Sequence, residues 1–65
     1  MTIRDYVKKN FESSGASDIT SSIEMSLKSK EEETLPGLGV LFETLWKNSS
    51  KEEQTKMSNI IAKNI

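Results

Sequence analysis

The sequence predicts an all-α protein, a small compact bundle of three to four short helices forming one domain over residues 1–65. Two observations carry that expectation. Apolar residues recur at three- and four-residue intervals in four stretches, while no stretch alternates as a half-buried strand would. Residues suited to starting a helix stand ahead of those stretches: Thr2, Ser17 or Asp18, Pro36 and Ser50. Sixty-five residues hold one small domain and no more. Leu, Ile, Val and Phe make up 15 of them, just above the range of disordered chains, and the net charge of −1 adds no self-repulsion to force the chain open.

The first helix is expected to be capped by Thr2, with Asp5 complementing its N-terminus. Ile3, Tyr6, Val7 and Phe11 fall on one face, and the run Glu12–Gly15 stops it, with Gly15 available for a left-handed turn. The second helix starts at Ser17 or Asp18 and runs to about Lys30, with Ile19, Ile23 and Leu27 in one row and Met25 on another side. Three aliphatic residues make a narrow stripe, so this helix needs a partner. Glu31, Glu32 and Glu33 suit a helix start better than a helix end and mark the boundary before the third helix.

Pro36 is pre-shaped for the first turn of that third helix. Leu38, Leu41, Phe42, Leu45 and Trp46 then give a full-width apolar stripe, which Leu35 extends backwards. A strand over Val40–Leu45 is the competing reading, but the Leu38–Trp46 spacing is helical and such a strand has no partner. The segment Asn48–Ser50 ends the helix in a short turn. The fourth helix opens on a capping box, either Ser50 with Glu53 or Ser49 with Glu52. Met57, Ile60, Ile61 and Ile65 are its expected buried stripe. Together the four stripes are expected to form one core centred on the third helix. Phe42→Ala or Leu41→Ala would then cost roughly 2–5 kcal/mol.

Composition excludes several kinds of chemistry. With no Cys and no His, the chain has no disulfide, no thiolate or imidazole metal ligand and no nucleophile–histidine triad. The adjacent acids Glu31–Glu33 and Glu52–Glu53 are candidates for paired-carboxylate catalysis or cation binding. Acid–base work needs a dry pocket that so small a core does not enclose, and the spaced ligands of a calcium loop are absent. Solvated acids near helix starts are the expected reading. No cofactor and no small-molecule substrate is implied, and the chain reads as non-enzymatic. Residues Met1–Phe11 carry Arg4, Asp5, Lys8 and Lys9 rather than a signal peptide's apolar stretch, and Leu35–Phe42 is broken by Pro36 and two glycines. The protein is therefore expected to stay in the compartment where it is made, away from membranes.

Three features invite a binding role. Gly37 and Gly39 in the first turns of a helix cost about 1 kcal/mol each against Ala, so something must offset them. An anion held at the helix start is one reading, although neighbouring Glu31–Glu33 repel phosphate; close packing of another helix is the expected one. Tyr6, Phe11, Phe42 and Trp46 are of the type that stacks on bases, but their helical spacing assigns them to the core. Lys47, Lys51, Lys56 and Lys63 ride on the last hairpin and are candidate phosphate contacts, interleaved with Glu52 and Glu53. Spare apolar surface, Ile65 included, points to self-association.

The stretch Leu35-Pro36-Gly37-Leu38-Gly39-Val40-Leu41-Phe42-Glu43, followed by Trp46, resembles the central motif of the small acid-soluble spore protein I family. Ile3-Arg4, Val7, Ile23, Leu27 and Glu31-Glu32 fall at similar offsets before it, so the resemblance extends along almost the whole chain. It implies a minor protein of bacterial endospores, made in the forespore and kept in the spore core, a cytoplasmic compartment. It brings no catalytic residue. Leu35, Pro36, Gly37, Leu38, Gly39, Phe42 and Trp46 are the motif positions expected to serve packing or partner contact. Two functions follow as expectations: a non-catalytic structural or interaction role in sporulation, or weak sequence-independent nucleic-acid binding.

Overall fold

The computed structural model describes residues 2–65, and among them every regular element is helical. In order these are α1 (Ile3–Phe11), α2 (Ala16–Ser29), a 3₁₀ turn (Glu32–Thr34), α3 (Leu35–Lys47) and α4 (Lys51–Asn64). The principal extents are 31 × 26 × 24 Å. Helix α3 is the hub: α1, α2 and the 3₁₀ turn all pack against it, whereas α4 shares no comparable contact with any element.

Local chemistry sets the helix ends. The Thr2 hydroxyl accepts the Asp5 backbone N–H at 3.1 Å, satisfying one of the donors that a helix start leaves over. Helix α2 begins one residue before Ser17. Gly15 is its N-cap, extended at φ −88°, and donates its N–H to the Asp18 carboxylate at 3.3 Å. The left-handed residue expected at Gly15 is instead Lys30, with φ 55°, where α2 turns into the 3₁₀ segment. At the α3–α4 turn the Ser50–Glu53 box forms, with the Glu53 N–H donating to the Ser50 hydroxyl at 3.1 Å and the Ser50 N–H to the carboxylate at 2.7 Å. Ser49 takes no part in a box, and its hydroxyl donates to the Leu45 carbonyl.

The expected single filled core is corrected by the packing. Val7, 7% exposed, is the one buried apolar residue among those described. Leu38, Leu41 and Trp46 are half-buried, while Phe42 and Leu45 remain 43% and 53% exposed. The stripe of α4 departs furthest from expectation: Met57 is half-buried, but Ile60, Ile61 and Ile65 are exposed. Periodicity assigns these residues to one face, yet burial needs a facing surface. Helices α1 and α2 cover only part of α3, and α4 is anchored near its start, where half-buried Gln54 donates to the Trp46 carbonyl at 2.8 Å.

The glycine expectation is corrected too. A Cβ built on Gly37 or Gly39 meets no atom of another element within 4 Å, so among the described residues no helix crosses closely there.

Candidate functional site

Helix α3 carries the motif from Leu35 to Trp46 and presents it on two sides. Leu38 and Leu41 face α1 and α2, Trp46 faces α4, and Phe42, four residues before Trp46, stands between the α2 and α4 sides. The two aromatic rings lie 5.7 Å apart at 37°, within the range of favourable tilted pairs. Leu35, Pro36 and Gly39 are exposed and Gly37 is half-buried, so the glycine end of the motif faces outward.

Two grooves flank the exposed ridge of Phe42 and Leu45. One, of about 450 Å³, runs between Ile19 and Ile23 of α2 and Leu38, Leu41, Phe42 and Leu45 of α3. Thr44 is its one polar lining residue, and the hydroxyl is already engaged, donating to the Val40 carbonyl at 3.0 Å. The other, of about 440 Å³, opens between α3 and α4 and is walled by Phe42, Trp46 and Ile61, with Glu43, Lys47 and Ser58 at its edge. Phe42 belongs to both. A third groove, of about 410 Å³, separates α1 from the start of α3 and includes Tyr6, Phe11, Pro36 and Gly37.

An ion pair ties α1 to α3 beside this surface. Arg4 grips Glu43 with both ends of its guanidinium fork, Nε to Oε1 at 2.6 Å and Nη2 to Oε2 at 2.9 Å. Those hydrogen bonds hold the Glu43 carboxyl below the ordinary carboxylate range and raise Arg4 in turn. Lys47 approaches the same Oε1 at 3.9 Å. Sequence reasoning missed this pair, because 39 residues separate its members and no local spacing announces it.

The four candidate lysines do not converge. Lys47 is engaged with Glu43, and Lys51 opens α4 next to Glu52 and Glu53. Lys56 and Lys63 share one side of α4, about 140° round the helix from Lys51. Glu31, Glu32 and Glu33 are all exposed at the 3₁₀ turn. Among the described residues no helix is long and apolar enough to cross a membrane.

The family model of small, acid-soluble spore protein I matches residues 1–65, the full chain. The chain belongs to this family. A small, acid-soluble spore protein I of Halalkalibacterium halodurans is 32% identical over 63 residues, covering 97% of this chain and 93% of the relative. One from Bacillus mycoides is 38% identical over 55 residues, covering 85% and 80%. The protein of the same name from Shouchella clausii is 32% identical over 63 residues, with 97% and 91% covered. No solved structure matches the chain. Membership makes this a spore-protein sequence, in agreement with the resemblance carried by the Leu35–Trp46 motif.

Proposed function

We propose that this member of the spore protein I family is a non-catalytic structural or interaction component of the spore core, working through the apolar face where α2, α3 and α4 meet. One observation carries the reading. Helix α3, which carries the Leu35–Trp46 motif, holds Phe42 and Leu45 half in water between two grooves instead of inside the domain. Exposed aromatic and aliphatic side chains in so concentrated a patch favour a covering surface, since burying each is worth about 1.5–3 kcal/mol. Immunodetection in acid extracts of ruptured spores tests the assignment. The protein is expected in the core extract and absent from vegetative cells; equal amounts in both would remove the spore role.

A second reading, weak sequence-independent binding of nucleic acid, rests on Lys56 and Lys63 sharing one side of α4. Two phosphate contacts would give a shallow salt dependence, a log–log slope of about −2. Absence of retention on duplex DNA at low salt removes it.

A further inference from the structure

We propose that two copies of this chain dimerise face to face, the Phe42–Leu45 ridge of each filling the α2–α3 groove of the other. This rests on the reading of that face as a contact surface and names its occupant.

The exposed surface of the whole chain is large enough to hold such a contact. The chain exposes 5598 Å². A folded monomer of its 7.3 kDa mass is expected to expose about 4,200 Å², leaving an excess of roughly 1,400 Å². A standard stable interface takes about 800 Å² from each partner, so one dimer contact absorbs more than half of the excess.

The shape and polarity of the face point to a second copy. Ridge and groove stand side by side on one chain and share Phe42, so a two-fold axis beside that residue brings each ridge over the opposite groove. This isologous arrangement closes on itself and leaves no ridge unmatched. The groove is lined by apolar side chains apart from Thr44, whose hydroxyl is satisfied within its own helix. Glu43 and Lys47 edge the neighbouring α3–α4 groove, and no charged side chain lines the α2–α3 groove, so closing it strands no charge among its lining residues. A lining without a cation makes this groove a poor phosphate surface and a good apolar one.

The test is sedimentation equilibrium of the full chain over a wide concentration range, with two variants. The wild type is expected at twice the chain mass. Leu45→Lys, on the ridge, is expected to be monomeric with unchanged helical circular dichroism. Ile60→Lys, on an exposed apolar residue of α4 outside both grooves, is expected to stay dimeric. A monomeric wild type, a dimeric Leu45→Lys or a monomeric Ile60→Lys overturns the assignment. If Leu45→Lys fails to fold, isotope-filtered NOEs in the mixed-label wild-type dimer decide. Cross-copy contacts from Leu45 methyls to Ile19 or Ile23 support the interface, and their absence overturns it. A monomer recovered from the spore-core extract would sink the dimer while leaving the spore role standing.

Discussion

Lys30 holds its backbone at φ 55°, ψ 18°, a conformation in which a Cβ crowds the neighbouring carbonyl. Glycine removes that crowding, so Lys30→Gly is expected to stabilise the chain by about 1 kcal/mol, read as a higher urea midpoint at unchanged slope. A lower midpoint would show that the lysine side chain contributes more than its backbone costs. Ser50→Ala works in the other direction: it strips the hydroxyl that accepts the Glu53 N–H and should cost about 1 kcal/mol. Acid acts on two carboxylates at once. Glu43 is held below the ordinary range mainly by the Arg4 hydrogen bonds, and Glu53 by the Ser50 backbone N–H and then the Ser50 hydroxyl. A lowered folded-state value means that the unfolded chain takes up protons first as the pH falls. Their stabilisation is therefore complete at neutral pH and is lost on descending through and below the usual carboxylate range. The thermal midpoint should stay level down to about pH 5 and fall below it, with a smaller fall in the double variant Glu43→Gln/Glu53→Gln. An identical fall in the double variant would assign the acid response to other groups.

At the scale of the helix, α3 carries two glycines whose missing side chains make room for no neighbour among the described residues. Neither has a positive φ, so alanine fits the backbone as it stands. Gly39→Ala should therefore raise stability by about 1 kcal/mol when measured in the Leu45→Lys background, where the proposed dimer is absent. A loss in the wild type alone would place Gly39 under the partner. The same helix shows how far a sequence can be read. Thr2, Pro36 and the Ser50–Glu53 box were legible because a cap is a contact between residues three apart, set by local geometry. The helical period likewise marked Leu38, Leu41 and Leu45 as one side of α3. It could not supply the surface opposite them, so Phe42, Leu45, Ile60 and Ile61 were assigned to an interior that the other helices do not provide. Arg4 and Glu43 met only through the tertiary fold. The exchange of roles between Gly15 and Lys30 came from the same limit. Gly15 was the obvious left-handed residue by type, yet the chain needed its sharp reversal before the 3₁₀ turn, where only Lys30 stood.

For the whole molecule, the uneven packing sets an order in which it should come apart. A domain of 65 residues has roughly 3–10 kcal/mol of stability in total. Val7 is its one fully covered apolar side chain among the described residues, where α1 meets α3. Val7→Ala removes about two methylene equivalents and leaves a void, so a loss of about 2 kcal/mol is expected, a large fraction of that total. Helix α4 stands at the other extreme. Its N-terminal turn is locked by the capping box and by Gln54 on the Trp46 carbonyl, but Ile60 and Ile61 are only partly covered and Ile65 is 100% exposed. A cap fixes where a helix begins without supplying the tertiary contact that a 14-residue helix needs to persist in water. Amide hydrogen exchange should therefore be slowest at Val7 and in the middle of α3 around Leu41, and fastest in the last turn of α4, approaching the rate of a free peptide. The proposed dimer is expected to make the contrast steeper as concentration rises, because it would add cover to α2 and α3 and none to Ile60 or Ile65. Uniform protection from α1 to α4 would show instead that the four helices open as one unit, with α4 held by contacts beyond the Gln54 bond.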